Sequence, residues 1–213
     1  MKKIVLIGDS IRKGYDKYVA ECLKEQAVVY WPNENCRFAQ YTLRCLHDWK
    51  KQGEWPDDVD LVHWNVGLWD TLTLYEDGTL TSPEYYREQL IRIDRRLKIL
   101  FPNAKLIFAT STPVVEERFL NPKVSIRYNK DIEYFNEIAV KELQARGTVI
   151  NDLYALAKEV PISYFSDMTH LYTKEGVELL GNAVVDCICK QLGIAEHETV
   201  DGARFVPGAA LGQ

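Results

Sequence analysis

The sequence lacks a long hydrophobic run. No stretch approaches the about 20 apolar residues that a membrane-spanning helix needs. The apolar run near the start, residues 4–8, is shorter than the hydrophobic region of a signal peptide, and no small-residue cleavage site follows it. Positive charge is not in excess, because 26 Lys and Arg stand against 31 Asp and Glu, for a net charge of −5. We therefore expect neither a membrane nor a nucleic acid, which requires clustered basic residues, as a partner.

Cysteine is sparse, and its spacing suggests no pairing. The five cysteines are odd in number and include no CxxC pair, standing at positions 22, 36, 45, 187 and 189. Buried free thiols in a reducing compartment explain this pattern best, so we expect a cytoplasmic location. No HExxH or comparable ligand spacing is present, and we expect no metal and no cofactor.

Nothing in the composition divides the chain. Its 213 residues contain no Gly/Ser linker, repeat or shift in composition, and 46% of them are apolar. That is enough apolar material for one compact core. We expect a single domain over residues 1–195, followed by a tail over residues 196–213 that has no periodic pattern.

Short apolar segments alternate with helical patterns along the chain. Near-continuous apolar content is typical of strands buried on both faces, and five segments show it: residues 3–8, 27–31, 60–66, 105–110 and 148–152. Helical spacing with start or stop residues occurs in residues 82–101, 130–147 and 173–193. The alternation predicts an α/β protein with three layers (α/β/α), in which helices cover both faces of a five-stranded parallel sheet. We expect the flavodoxin-like strand order 2-1-3-4-5.

Two long segments without periodicity follow predicted strands. They comprise residues 66–81 and 111–130, and loops of this length in compact domains are commonly lids or binding loops. In parallel sheets of this type, ligands bind beyond the carboxyl ends of the strands, where the winding reverses. We expect both loops to lie over that edge of the sheet.

Gly8, Asp9 and Ser10 end the first predicted strand at the same edge. A serine in this position is either an ordinary helix cap or a nucleophile, and a serine nucleophile needs an adjacent base. Among the four histidines, His170 stands in a loop before the last helix, three residues after Asp167. A carboxylate that orients the imidazole completes the arrangement used for nucleophilic catalysis. The sequence therefore predicts that three side chains distant along the chain converge.

The motif of residues 8–10, combined with the Asp-Met-Thr-His of residues 167–170, resembles the GDSL-type SGNH hydrolases. These are serine esterases and acylhydrolases with a three-layer α/β/α fold, and the resemblance extends to the order of the strands and helices. It implies that Ser10 is the nucleophile, His170 the base and Asp167 the acid that orients the base.

Two middle motifs of that family are altered in this chain. The second motif supplies a glycine whose N–H helps to form the oxyanion hole, but residues 32–44 contain no glycine, and Cys36 or Arg37 takes that place. The third usually reads Gly-x-Asn, whereas here Asn65 precedes the glycine. The resemblance implies that the oxyanion donors are the backbone N–H groups of Ser10 and Cys36 and the side-chain amide of Asn65.

Further residues are expected around the substrate: Asp9, Gly67, Trp69 and Arg127. In the family's motif, Asp9 usually holds the nucleophile turn through hydrogen bonds. Trp69 is interpreted either as loop packing or as a flat surface for a sugar, and Arg127 either as a solvated side chain or as a contact for an acidic group.

The histidine of the third predicted strand is interpreted as a core residue. A metal site built from His63, Asp70 and His170 is an alternative that no ligand spacing supports.

The resemblance implies hydrolysis of a carboxylic ester through an acyl-enzyme. Because the long loops are mostly polar and no amphipathic lid is present, we expect a small polar ester as substrate, an O-acetylated carbohydrate being one example. A lysophospholipase- or thioesterase-type acylhydrolase is the alternative within the family. The altered middle motifs leave two other classes open, a ligand-binding module of the same fold without turnover and a flavodoxin-like cofactor binder.

Overall fold

A five-stranded parallel sheet forms the middle layer of the computed structural model, which describes residues 1–208. Its strands are β1 (Lys2–Ile7), β2 (Ala27–Tyr30), β3 (Leu61–Trp64), β5 (Lys105–Ala109) and β7 (Val149–Asn151). The spatial order is β2-β1-β3-β5-β7, and every neighbouring pair is parallel. The short strands β4 (Thr73–Leu74) and β6 (Ser125–Ile126) pair only with each other. Among the strands of the main sheet the order is therefore 2-1-3-4-5, and the predicted fold class is confirmed.

Helices cover both faces of the sheet. Within residues 1–208 they are α1 (Ser10–Cys22), α2 (Ala39–Gln52), α3 (Pro83–Leu100), α4 (Asn129–Gln144), α5 (Leu153–Lys158) and α6 (Lys174–Leu192). Short 3₁₀ turns occur at Glu116–Arg118, Ile162–Tyr164 and Gly202–Phe205. Side chains cap the starts of α3 and α6: Ser82 accepts a hydrogen bond from the Tyr85 N–H, and Thr173 accepts one from the Gly176 N–H. Gly193 ends α6 with a φ of +69°, in the left-handed region that favours glycine.

The apolar core is divided into two layers by the sheet. Successive side chains of a strand point to opposite faces, so Ile4 and Leu6 of β1 join the layer formed with α1 and α6. Val5 and Ile7 of the same strand join the other layer, formed with α2, α3 and α4. This double burial explains why the central strands carry an almost unbroken apolar sequence.

The two long loops are joined to each other. They contain β4 and β6, which pair antiparallel with Thr73 opposite Ile126 and Leu74 opposite Ser125. The sequence predicted irregular loops at both places because each strand is only two residues long and its partner lies about 50 residues away. The pairing places both loops over the carboxyl edge of the sheet as one unit.

The described part of the predicted tail lies against the domain. The Glu198 N–H donates to the Cys22 carbonyl at 3.0 Å, and the ring of Phe205 meets that of Tyr18 edge-on at a centroid distance of 5.8 Å. Residues 209–213 of that tail lie outside the described residues. None of the helices within residues 1–208 is both long and apolar enough to cross a bilayer.

Candidate active site

Ser10 stands at the point where the central strand β1 turns into α1. The Asp9 side chain caps this helix, its Oδ1 accepting a hydrogen bond from the Ile11 N–H at 2.9 Å. Gly8 permits the turn because a Cβ at this position would lie 1.9 Å from Oδ1 of Asn65. Ser10 is therefore the first residue of the helix, at the carboxyl edge of the sheet.

The Ser10 side chain is nearly buried but faces a pocket. Its exposed fraction is 6%, and among the described residues its hydroxyl has no hydrogen-bond partner, although it is not one of the fully enclosed polar atoms. The Ser10 backbone N–H belongs to the first helical turn and also has no acceptor within residues 1–208. Both groups are available to a ligand.

Asp167 and His170 form a closed local turn. Oδ2 of Asp167 lies 2.7 Å from Nδ1 of His170, while Oδ1 accepts hydrogen bonds from the backbone N–H groups of Thr169 and His170 at 2.6 and 2.8 Å. Burial raises the pKa of Asp167, but these hydrogen bonds and the charge of His170 outweigh burial and hold the pKa below its ordinary value. The carboxylate therefore stays ionised and fixes the orientation of the ring.

Contacts from outside hold this turn in place. The Val115 N–H donates to the Met168 carbonyl at 2.8 Å. Arg118 donates from Nη1 to the carbonyls of Phe165 and Asp167 at 2.9 and 3.2 Å. The sequence did not indicate a role for Arg118, because nothing in a 3₁₀ turn 47 residues upstream marks it as a partner of Phe165.

Tyr172 links the two halves of the site. Its ring stacks on that of His170 at a centroid distance of 4.6 Å, and its hydroxyl donates to the Ser10 carbonyl. Ser10 and His170 line the same pocket. The Ser10 hydroxyl and the His170 ring do not form a hydrogen bond in this structure, and such bonds often tighten only when the substrate binds.

The shared pocket has a volume of about 280 Å³. Besides the three residues of the predicted triad, its lining includes Asn35, Trp69, Leu72, Ser125 and Arg127. Larger clefts exist elsewhere on the described surface, such as one of about 460 Å³ beside Glu133 and Lys158. We assign the site to the smaller pocket because it joins a serine hydroxyl to an oriented histidine.

Asn65 and Asp9 lie behind the pocket. The amide Nδ2 of Asn65 donates to Oδ1 of Asp9 at 2.9 Å, in a fully buried contact. Burial raises the pKa of Asp9, although the hydrogen bonds from Asn65 and Ile11 oppose this. Asp9 does not line the pocket, which corrects the expectation of a substrate contact. Its role in the structure is to hold the turn.

Gly67 is also buried rather than placed at the pocket wall. It adopts a φ of +132°, and a Cβ there would lie 2.9 Å from both the Ser111 hydroxyl and the Tyr86 hydroxyl. The close approach of these two side chains requires a glycine. This corrects the expectation that Gly67 contacts the substrate.

The segment that replaces the family's second motif has an unexpected donor. Arg37 has a φ of +50°, the left-handed conformation that favours glycine. The Cys36 N–H donates to the Gly8 carbonyl at 3.2 Å, which corrects the expectation that it is free for an oxyanion. The Arg37 N–H donates to Oδ1 of Asn35 at 2.8 Å. Nδ2 of Asn35 has no acceptor among the described residues, and Asn35 lines the pocket.

The alternative metal site does not form. His63 is enclosed in β3, where burial lowers its pKa to about 3 and keeps the ring neutral. Asp70 instead accepts hydrogen bonds from the Ala39 N–H and the Thr81 hydroxyl. No cluster of three or more His, Cys, Asp and Glu residues that could hold a metal ion occurs within the described part of the chain.

No protein-family model matches the chain, and no curated protein matches its sequence. Solved structures do match it. A lipase/acylhydrolase from Enterococcus faecalis has a TM-score of 0.71 at 20% identity, covering 93% of this chain and 100% of that one. A GDSL-like lipase from Bacteroides thetaiotaomicron has a TM-score of 0.67 at 17% identity, covering 89% and 88%. The acetyl xylan esterase AlAXEase has a TM-score of 0.65 at 18% identity, covering 87% and 99%.

These similarities extend over most of both chains, whereas sequence identity is low. The protein has the fold of the GDSL-type SGNH hydrolases and esterases. The resemblance suggested by residues 8–10 and 167–170 is thereby confirmed for the fold.

Proposed function

We propose that the protein is a serine hydrolase that cleaves small polar carboxylic esters, with Ser10 as nucleophile, His170 as base and Asp167 as the orienting acid. One observation carries the proposal. Nδ1 of His170 is paired with Asp167 at 2.7 Å, and the ring lines the pocket into which the Ser10 hydroxyl opens.

The chemistry follows from that arrangement. Oγ of Ser10 attacks the ester carbonyl carbon while its proton passes to Nε2 of His170. The tetrahedral intermediate collapses, and the alcohol leaves with that proton, so that the acyl group remains as an ester on Ser10. Water, deprotonated by the same imidazole, attacks the acyl carbonyl; the acid is released and the Ser10 hydroxyl is restored. Asp167 stabilises the imidazolium that forms in each half of the cycle.

The oxyanion is stabilised by donors at the start of α1 and in the adjacent loop. The Ser10 N–H lies at the positive end of the helix dipole. Nδ2 of Asn35 is the second donor, because it lines the pocket without a protein acceptor. The Asn65 amide, expected as a third donor, is enclosed behind the pocket and donates to Asp9 instead. Removing one such donor typically lowers kcat about 10²–10³-fold.

The size of the pocket favours a short acyl group. A volume of about 280 Å³ lies just below the roughly 300–1,000 Å³ of typical small-molecule pockets. Trp69 offers a flat ring at the pocket wall, which suits an O-acetylated carbohydrate. One solved structure of the same fold is an acetyl xylan esterase, and this supports the same substrate class. A lysophospholipase- or thioesterase-type acylhydrolase is the alternative, and rates on acyl esters of increasing chain length distinguish the two.

The cysteines bear on the location of the enzyme. All five are free thiols, and free thiols persist in reducing compartments. A cytoplasmic location is part of the proposal.

A burst experiment with p-nitrophenyl acetate tests the mechanism. We expect the wild-type protein to release p-nitrophenol in a pre-steady-state burst and to be labelled at Ser10 by a fluorophosphonate probe. Ser10→Ala removes both signals. Ser82→Ala, the same substitution at the cap of α3, retains them. If the folded wild-type protein is not labelled and is no faster than Ser10→Ala, the hydrolase proposal is wrong and a ligand-binding module of this fold is favoured instead.

A further inference from the structure

Arg127 is held over the pocket by the paired loops. It follows β6 directly, and its Nε donates to the Leu68 carbonyl at 2.7 Å. Its guanidinium carbon lies 5.7 Å from the centre of the Trp69 ring. These contacts fix the direction of the side chain, which lines the same pocket as Ser10.

The rest of the guanidinium has no protein partner. Among the described residues, Nε is the only side-chain nitrogen of Arg127 with a hydrogen-bond acceptor, and no carboxylate oxygen lies within the 4.0 Å of an ion pair. The terminal nitrogens are not among the enclosed polar atoms, so they open to the pocket. Burial lowers the pKa of Arg127 to about 10, against the opposing charges of Asp9 and Asp167, so the group remains a cation at neutral pH.

Arg12 of the same chain shows how a structural buried arginine is accommodated. Its Nη1 pairs with Asp16, its Nη2 donates to the Glu34 carbonyl, and its Nε donates to the Gly8 carbonyl. Buried charges are normally paired in this way, because leaving water without compensation is costly. The terminal nitrogens of Arg127 lack such compensation from the protein. An arginine that is fixed at Nε and unpaired at its terminal nitrogens is suited to binding a ligand.

We infer that Arg127 selects esters that carry an anionic oxygen group, a carboxylate or a phosphate, a few bonds from the scissile carbonyl. The inference rests on the proposed function and specifies its substrate. A guanidinium binds both kinds of anion through paired N–H donors. Because Arg127 and Ser10 share about 280 Å³, one small molecule can reach both. An acetyl ester of an acidic sugar or of a small hydroxy acid fits this description.

The charged groups around Arg127 are acidic. The chain carries a net charge of −5, and Asp9 and Asp167 lie close enough to influence the pKa of Arg127. An anion therefore gains attraction at this site only where it reaches the guanidinium. A neutral ester gains nothing from Arg127, so discrimination arises in kcat/KM.

Three acetyl esters of similar shape test the inference: 4-acetoxybenzoate, 4-acetoxyphenyl phosphate and the neutral 4-acetoxybenzamide. We expect wild-type kcat/KM to be about 10-fold or more higher for at least one anionic ester than for the amide. In Arg127→Gln that ratio falls to about one or below, and in Arg127→Lys it is intermediate. Comparison of the two anionic esters shows whether a carboxylate or a phosphate is preferred.

Arg44→Gln is the matched control. It removes the same charge from an exposed position on α2, remote from the pocket, so the wild-type ratio is retained if the effect is local. A wild-type ratio near one, or an unchanged ratio in Arg127→Gln, overturns the inference and leaves the proposed function intact. If circular dichroism shows that Arg127→Gln does not fold, Arg127→Lys replaces it in the test. A ratio of anionic to neutral kcat/KM below that of wild type supports the inference, and an unchanged ratio overturns it.

If the protein hydrolyses neither these esters nor p-nitrophenyl acetate, the proposed function is contradicted. Calorimetric titration with 4-hydroxybenzoate and 4-hydroxyphenyl phosphate then decides the inference as an anion site. Binding by wild type and Arg44→Gln that is lost in Arg127→Gln supports it. Equal binding by all three proteins, or no binding, overturns it.

Discussion

The nucleophile turn, residues 8–10, and the acid–base turn, residues 165–170, face the same pocket but are built differently. The first is closed by side chains from far along the chain: Asn65 bonds to Asp9, and Tyr172 bonds to the Ser10 carbonyl. The second is closed mainly within itself, because Asp167 bonds to groups two and three residues away.

Asp9 and Asp167 illustrate this difference between the two turns. Asp9 is fully buried, and burial raises its pKa. The Asp167 side chain is 38% exposed, and its hydrogen bonds, chiefly with His170, overcome the effect of burial and lower its pKa. One residue type thus serves as a structural tie in the first turn and as an ionised partner in the second. We expect substitutions around the nucleophile turn to cost folding stability, and substitutions in the acid–base turn to cost catalysis.

The largest effect is expected in the acid–base turn. Asp167→Asn keeps an oxygen for the backbone N–H groups of Thr169 and His170 but loses the carboxylate that orients the ring. We predict that kcat on p-nitrophenyl acetate falls about 10³–10⁴-fold, whereas the thermal midpoint of unfolding changes little. Asp57→Asn, at an exposed carboxylate, leaves both quantities near the wild-type values. A large loss of stability in Asp167→Asn would remove the contrast between the two turns.

Arg12→Met tests the nucleophile turn. Arg12 is 1% exposed and contacts Gly8, Asp16 and the loop before α2. Removing it leaves the carboxylate of Asp16 buried and unpaired, which typically costs about 3–5 kcal/mol. Urea unfolding measures this loss, and Arg12→Met with Asp16→Leu should recover much of it. Full stability of the single variant would show that Asp16 finds water or another partner.

Asp70 extends the comparison to the region behind the nucleophile turn. Burial raises its pKa to about 7, although hydrogen bonds from Thr81 and Ala39 oppose the rise. Since the unfolded value lies near 4, the folded state retains this proton while the unfolded state loses it, and stability falls as pH rises through that interval. Relative to Asp70→Asn, we predict that the wild-type free energy of unfolding falls by on the order of 2 kcal/mol between pH 5 and pH 7. Parallel stability curves for the two proteins would contradict the raised pKa of Asp70.

The smallest effect is expected at the side chain that joins the two turns. Tyr172→Phe keeps the ring stacked on His170 but removes the hydrogen bond to the Ser10 carbonyl. We predict a loss of about 1 kcal/mol in stability and a fall in kcat of about 3–10-fold from misplacement of the serine. Tyr134→Phe, on an exposed face of α4, is the control. A larger loss of kcat in Tyr172→Phe than in Asp167→Asn would reverse the order proposed for the two turns.

Local features of the chain were predictable from the sequence. The apolar strands, the start of α3 at Ser82, the end of α6 at Gly193 and the pairing of Asp167 with His170 all depend on residues within one or two turns of each other. The pairing of β4 with β6 was not predictable, because each is two residues long and its partner is distant. Asn35 was missed as a pocket residue because its position depends on how the loop before α2 folds against Gly8.

By itself, the sequence determined the α/β layers, the strand order and the presence of a serine and an Asp–His pair at one edge of the sheet. Periodicity and capping are short-range properties, so they can be recognised in the order of residues along the chain. Only the tertiary structure decided that Asp9 and Gly67 lie behind the pocket while Asn35 and Arg127 line it. The physical reason is that burial and charge compensation depend on which distant segments meet. Arg12 and Arg127 are the same residue type. Among the described residues, the terminal nitrogens of Arg12 have hydrogen-bond acceptors and those of Arg127 do not, a difference that only the fold determines.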